Sequence, residues 1–191
     1  MYTFKYTKEL SLSQPKQQAR HIVKRFAGKP KTILSLSADN FLFESQFPKA
    51  KIVCCEMDPN VYIKGLANKP ANVTYLKKNI LDIEPNYEFI WLDFCSNLKP
   101  LLINELIAYF QKAQKYNAKT ISITLYLKQE KELPKYLHLY GAESLDDMRL
   151  NVFPKLISQY TDYNLVDIYK YLSNNHSPMG VFTFKLSKKT I

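Results

Sequence analysis

The sequence predicts an α/β protein with a doubly wound, mainly parallel seven-stranded sheet that ends in an antiparallel hairpin. Five apolar runs are separated by helical segments, and each run is continuous, as is typical of parallel strands covered on both faces. Two further strand-like runs are joined by a loop of sequence SNNHSPMG, which predicts the hairpin. The predicted strands are residues 32–37, 51–56, 73–77, 89–93, 120–126, 163–172 and 181–187.

Three helices are predicted between the parallel strands, at residues 39–47, 59–67 and 99–116. The third is the clearest, because its apolar residues recur at helical spacing on one face. The segment after residue 126 predicts a loop or lid. It leads to a helix near residues 146–160, where Pro154 should kink the helix or split it in two.

Residues 1–30 are predicted to form an N-terminal arm and a helix. Residues 1–12 alternate aromatic and polar side chains, which suits an edge strand, an arm lying over the domain, or stacking on unpaired bases. The helix can begin at Ser13 and end at Gly28. Its basic residues lie largely off the apolar face, and either contact phosphates or are simply solvated: Lys16, Arg20, Lys24 and Arg25.

Length and composition predict one domain over residues 1–191, since 46% of the 191 residues are apolar and 23% are charged. After the arm and helix come a sheet core (31–126), a lid and helical segment (127–160) and the hairpin (161–191). Lys and Arg number 27 against 17 Asp and Glu, a formal charge of +10. That surplus favours an anionic partner, with nucleic acid first, although a solvated lysine-rich surface would give the same charge.

The cysteines and the lengths of the apolar runs indicate the cellular compartment of the protein. Three cysteines are present, and Cys54 and Cys55 are adjacent inside a predicted strand, which favours reduced, packed thiols over disulfides. The sequence has no signal-peptide pattern at its start and no apolar run of about 20 residues. We therefore expect a cytoplasmic protein without a membrane partner. The sequence leaves the oligomeric state open.

Polar residues follow the strands of the predicted sheet, at the edge where open α/β sheets bind ligands. Glu56 can accept hydrogen bonds from both hydroxyls of a ribose, and Asn79 can bond the edge of a purine between Met57 and Ile80. Asp93 follows the apolar pair Trp91 and Leu92 and suits a ligand ammonium or a substrate group. The strand-end residues are Ser37, Ala38, Asp39 and Asn40; Glu56, Met57 and Asp58; Asn79 and Ile80; and Asp93, Phe94, Cys95 and Ser96.

These segments resemble the class I S-adenosylmethionine-dependent methyltransferases, in order and spacing, over nearly the whole chain. The similarity is carried by residues 34–40 (LSLSADN), 55–58 (CEMD) and 91–95 (WLDFC), and by the terminal hairpin. The chain is also similar to small methyltransferase-like proteins of phages and plasmids. The resemblance implies S-adenosylmethionine as cofactor of the core, with residues 37–40 at the methionine part, Glu56 at the ribose, Asn79 at the adenine and Asp93 beside the transferred methyl.

The sequence departs from this family at two motifs. The family's first motif is glycine-rich, whereas no glycine lies between Gly28 and Gly65, so Asp or Asn would have to supply any left-handed turn residue. Glu44 either compensates by meeting the cofactor's ammonium or faces solvent. The motif that begins at Asp93 has neither proline of the amine methyltransferases. In that motif, Cys95 is either a nucleophile, as in cytosine enzymes, or a packing residue.

The sequence therefore predicts methyl transfer from S-adenosylmethionine to nucleic acid, with Asp93 orienting an acceptor amine. An alternative is a methyltransferase-like domain without catalysis, which acts as a nucleic-acid-binding or assembly module. A nucleotide-dependent oxidoreductase is disfavoured because no Gly-x-Gly-x-x-Gly motif follows the first strand.

Overall fold

The computed structural model describes residues 14–36, 38–96, 98–127, 135–173 and 176–187. The predicted arm, Ser13, Ser37 and the side chain of Cys95 lie outside this set. The strands are β1 (Thr32–Leu36), β2 (Lys51–Cys55), β3 (Val73–Leu76), β4 (Phe89–Ser96), β5 (Thr120–Tyr126), β6 (Tyr163–Leu172) and β7 (Pro178–Leu186). The helices are α1 (Gln14–Ala27), α2 (Pro59–Asn68), α3 (Pro100–Lys115), α4 (Leu145–Asp147) and α5 (Phe153–Tyr160). No helix in these ranges is long and apolar enough to cross a membrane.

The described strands form a seven-stranded sheet in the order β3-β2-β1-β4-β5-β7-β6. Strands β1 to β5 are parallel, and β7 runs antiparallel to both β5 and β6. This confirms the predicted mainly parallel sheet with an antiparallel hairpin. The chain passes from β1 outward to β2 and β3 and then returns to β4 on the other side of β1. The switch in strand order therefore lies between β1 and β4, where such folds bind ligands.

Two apolar clusters cover the two faces of the sheet. The larger includes Leu92 of β4 and Phe110 of α3, and the second includes Trp91 of β4 and Val23 of α1. Because side chains alternate along a strand, the neighbours Trp91 and Leu92 enter opposite clusters. The predicted helices at 59–67 and 99–116 are confirmed as α2 and α3. Together these layers bury both faces, which explains the continuous apolar runs in the sequence.

The first crossover, between β1 and β2, corrects the prediction. No α-helix forms over residues 39–47, and turns lead instead into a short 3-10 helix, Glu44–Gln46. Phe41, Phe43 and Phe47 of this segment are all buried in the second cluster. On a regular helix Phe41 and Phe43 would point about 200° apart, so one of them would leave the core. Burial of both rings on the same side therefore outweighs helical propensity.

Helix α1 ends as predicted but carries less exposed charge than expected. Gly28 has φ 67°, and its N–H donates to the carbonyl of Lys24 at 3.0 Å. Lys24 and Arg25 are exposed, whereas Arg20 is buried and Lys16 is partly buried. The prediction of an exposed basic face is therefore wrong for Arg20 and Lys16. Both lie on the helix face that packs on the domain, at positions i and i+4.

Pro154 splits the predicted helix at 146–160. The helical segment begins at α4, widens into a π-helical turn over Met148–Val152, and continues as α5. Proline has no N–H, and its ring clashes with the preceding turn of an α-helix. The wider π turn just before Pro154 accommodates that ring without ending the helix. The prediction of a kink or split is confirmed.

Candidate functional site

The carboxyl edge of the sheet opens between β1 and β4. Their ladder pairs Ile33 with Phe89 and Ser35 with Trp91, and stops there. Beyond this point the turn at 38–40 and the end of β4 are no longer paired, and this is the switch point at which folds of this strand order bind ligands. Ala38, Asp39 and Asn40 are each partly exposed beside it.

Asp93 lies on a bulge of β4. Leu92 pairs with Ile123 of β5, and the next pairing joins Ser96 to Leu125, so β4 advances by more residues than its partner. Bulges are frequent next to active sites because they redirect side chains. The sequence motif after the strand is thus part of the strand itself, in its irregular portion. The thiol of Cys95 falls outside the described side chains, so its role as nucleophile or packing residue stays a prediction.

The carboxylate of Asp93 forms an ion pair with Lys16 of α1. The Lys16 Nζ lies 2.6 and 2.8 Å from the two Asp93 carboxylate oxygens, and the two side chains are only 12% and 16% exposed. The same ammonium lies 5.7 Å from the ring centroid of Trp91. Trp91 and Asp93 are two residues apart on one strand and so both face α1. Lys16 therefore closes one side of the candidate site, a role that the sequence did not reveal.

Glu56 follows β2 and is fixed by the start of α2. Its Oε1 accepts the N–H of Asp58 at 2.7 Å, and Asp58 in turn caps α2 by accepting the N–H of Asn60 at 2.8 Å. The Asp-Pro pair at residues 58 and 59 is a recognisable helix start, so this support was readable in the sequence. Burial raises the pKa of the Glu56 carboxyl, partly offset by the backbone N–H groups that it accepts, and nearby Asp58 and Asp39 raise it further.

Glu44 is buried, which rules out the alternative that it faces solvent. It is 2% exposed, and its Oε1 accepts the Ser35 hydroxyl at 2.7 Å. The Ser35 Oγ also lies 3.3 Å from the Sγ of Cys54, whose thiol is buried as predicted. Glu44 therefore links the first crossover to β1 through its buried hydrogen bond with Ser35, and Ser35 in turn contacts β2 through Cys54. A role toward a ligand ammonium would require the carboxylate to share this contact.

The residues predicted to contact an adenine differ in how far they are exposed. Asn79 is partly exposed, and its Oδ1 accepts the Leu81 N–H at 3.1 Å, which caps the 3-10 helix Ile80–Asp82. Met57 is 56% exposed, whereas Ile80 is 1% exposed in the larger core cluster. The exposed Met57 side chain is accessible to a ligand at this edge. Ile80 belongs to the core, because its position after the cap turns it inward.

The turn after β1 keeps its shape without glycine. The carbonyl of Asp39 accepts the Asn68 side-chain amide at 3.1 Å. The positive φ expected at Asp or Asn occurs instead at Phe41, with φ 49°. The Phe41 ring packs edge-on against Tyr75 at a centroid distance of 4.9 Å. Aromatic burial therefore stabilises the conformation that glycine would otherwise supply.

Comparison with known proteins relates the chain to methyltransferases by structure. No protein-family model and no curated protein matches the sequence. The structure is similar to a Burkholderia thailandensis 1,6-didemethyltoxoflavin-N1-methyltransferase with bound S-adenosylhomocysteine, with TM-score 0.61, 9% identity, and 95% of this chain and 82% of that chain covered. It is also similar to an S-adenosylmethionine-dependent methyltransferase from Mesorhizobium loti, with TM-score 0.61, 7% identity, and 92% and 99% covered.

A third similar structure is a tRNA methyltransferase from M. jannaschii, with TM-score 0.60 and 12% identity. The match covers 96% of this chain but 52% of that one, so the chain spans about half the length of the tRNA enzyme. At these identities the likeness concerns the fold, and the strand order and terminal hairpin agree with it. The chain has the class I methyltransferase fold.

Proposed function

We propose that the protein is an S-adenosylmethionine-dependent methyltransferase that acts on nucleic acid. The observation that carries the proposal is the position of Glu56, at the end of β2 in a sheet of this strand order. Backbone N–H groups of Asp58 and Met57 hold its carboxylate in place, and the Asp58 N–H donates to Oε1 at 2.7 Å. A carboxylate oriented in this way suits the two hydroxyls of a ribose.

The residues fit the cofactor best at its nucleoside end. Glu56 would hold the ribose, exposed Met57 would contact the adenine face, and the partly exposed Asn79 would bond its edge. The backbone at 38–40 would hold the methionine part. The cofactor supplies an electrophilic methyl group on a sulfonium. The chain's own residues supply position, since alignment of the acceptor with the methyl is the main catalytic requirement.

Asp93 is the residue proposed to orient the acceptor. Its carboxylate, on the β4 bulge, can accept a hydrogen bond from an acceptor amine, and Lys16 holds it in one orientation. The nucleic-acid part of the proposal is supported by the formal charge of +10 and by the presence of a tRNA methyltransferase among similar structures.

A non-catalytic methyltransferase-like module is the second candidate. The observation favouring it is that the Asp93 carboxylate is already bound by Lys16. In that case the pair would be structural, and the site would not hold the cofactor productively.

Titration calorimetry with S-adenosylhomocysteine and S-adenosylmethionine separates the two candidates. The enzyme proposal expects binding, and Glu56→Ala should weaken it at least tenfold, about 1.4 kcal/mol. The matched control is Glu105→Ala, since Glu105 is an exposed carboxylate on α3. A folded protein that gives no heat at millimolar ligand would contradict the enzyme proposal. Equal affinity in the Glu56 and Glu105 variants would show that the ribose lies elsewhere.

A further inference from the structure

A row of exposed positive charge lies at the edge of the sheet opposite the candidate site. Parallel strands begin at a common edge, here called the amino edge, where β1 to β5 start and β7 ends. Basic residues precede or open β1, β2 and β5, and another lies near the end of β7. All six are exposed: Lys29, Lys31, Lys49, Lys51, Lys119 and Lys185.

The strand register places these lysines in a row. The Lys51 N–H donates to the carbonyl of Lys31 at 2.8 Å, and Lys185 is the cross-strand partner of Thr120, the residue after Lys119. Strands in a sheet lie about 4.8 Å apart, so the row from β2 to β7 spans about 19 Å. A duplex rises 3.4 Å per base pair along each strand, so this length matches about six base pairs.

Helix α1 extends the row. Its first turn lies at the carboxyl edge, where Lys16 meets Asp93, and its last turn lies at the amino edge, where the chain enters β1. The Arg25 guanidinium and the Lys185 ammonium both lie over the Phe26 ring, at 5.1 and 5.6 Å from its centroid. One aromatic ring thus holds two cations together at this end of the surface.

A carboxylate lies within the row, directly before β4, and it is already neutralised. Glu88 accepts the Lys31 N–H at 2.7 Å and the Lys119 ammonium at 2.8 Å, and these contacts lower the pKa of its carboxyl. At the opposite edge the charge is mixed, because carboxylates follow β1 and β2 while lysines follow β3 and β4. An anionic backbone is therefore attracted more to the amino edge than to the carboxyl edge.

The two edges act independently in physiological salt. The five residues of β1 span about 17 Å, twice the Debye length of about 8 Å. No exposed large apolar residue lies within residues 28–32, 47–51 or 117–120. A surface built to insert into a membrane would carry such residues beside its cations.

We propose that the amino edge is a docking surface for the phosphate backbone of nucleic acid, separate from the methyl-transfer site. The inference rests on the proposed nucleic-acid substrate, and it does not depend on the proposed cofactor. Backbone contacts of this kind supply affinity and register without sequence specificity. A nucleic-acid substrate held there would extend past the side of the sheet to present a base at the carboxyl edge.

The test measures binding of labelled 20-base-pair RNA and DNA duplexes by fluorescence anisotropy at several salt concentrations. The key variant replaces Lys29, Lys49 and Lys51 with Gln, since these three side chains are exposed and none forms an ion pair with another described residue. The control replaces Lys64, Lys99 and Lys170, which are exposed away from the amino edge, and so removes the same net charge. Losing three phosphate contacts lowers the salt slope by about 2.7, so between 50 and 200 mM salt the wild type should lose about 40-fold more affinity than the key variant.

Several outcomes decide the proposal. It is supported if the key variant shows that reduced slope while the control does not, and if Glu88→Gln tightens binding. It is overturned if the control loses as much affinity as the key variant, or if wild type binds neither duplex at 50 mM salt. Binding to vesicles of anionic lipid in place of duplexes would also overturn it, assigning the edge to a membrane. S-adenosylhomocysteine titration of the key variant keeps the two proposals apart, because it should match wild type whether or not the duplexes bind.

Discussion

Breaking the ion pair between Lys16 and Asp93 should lower the free energy of unfolding by about 2 kcal/mol. At about 2.7 Å and an effective dielectric constant of 20, the attraction between the two charges is about 6 kcal/mol, most of which offsets their desolvation. Exposed pairs contribute about 0–1 kcal/mol, whereas removing one partner of a fully buried pair costs about 3–5 kcal/mol. Side chains that are 12% and 16% exposed lie between these limits.

A double-mutant cycle measures this coupling directly. Lys16→Met keeps an apolar stem over Trp91 and removes the charge, while Asp93→Asn keeps the shape of the acceptor. Urea denaturation of the two single variants, the double variant and wild type gives the coupling energy. For a chain of 191 residues, 2 kcal/mol corresponds to a fall in Tm of about 4–8 °C.

Lys24→Met is the matched control, because Lys24 is exposed on the same helix and should change stability by no more than about 0.5 kcal/mol. A coupling energy below about 0.5 kcal/mol would refute the reasoning, since the pair would then behave as a solvated one. The cycle also has a functional readout. If Asp93 lies beside the transferred methyl, Lys16→Met should favour cationic S-adenosylmethionine over the uncharged sulfur of S-adenosylhomocysteine.

Two further predictions concern the neighbourhood of Glu56. Gly65→Ala should cost about 1–2 kcal/mol despite the better helix propensity of alanine, because its Cβ would lie 2.5 Å from Cε1 of Tyr75. Thermal denaturation should show most of that loss restored in a Tyr75→Leu background, and an equal loss in both backgrounds would contradict the clash. The raised pKa of Glu56 means that the folded protein binds more protons there than the unfolded chain. Its stabilising contribution is present below the unfolded value of about 4.3 and is lost as the pH rises through the higher folded value. Glu56→Gln should therefore become more stable relative to wild type as the pH rises above about 4.3. A difference in unfolding free energy between Glu56→Gln and wild type that stays constant as the pH rises would contradict this prediction.

Much of the fold followed from local patterns. Continuous apolar runs predicted the parallel strands, Gly28 predicted the end of α1, and Pro154 predicted the interruption before α5. Each of these signals acts through neighbouring residues, by side-chain periodicity or by the backbone geometry of one residue. The same reasoning placed Glu56 at the carboxyl edge, because the end of a parallel strand fixes the edge at which its next residue lies.

The tertiary structure alone decided which of the site residues are engaged or buried. Lys16 and Asp93 are separated by 77 positions, and only the packing of α1 on the sheet brings their charges together. Glu44 turns inward and Phe41 accepts a positive φ because the buried rings of the first crossover gain more than a regular helix would provide. The sequence by itself therefore determined the sheet, its edges and the carboxylate after β2. Contacts between distant segments decided the rest, since desolvation and ion pairing depend on neighbours that no local pattern specifies.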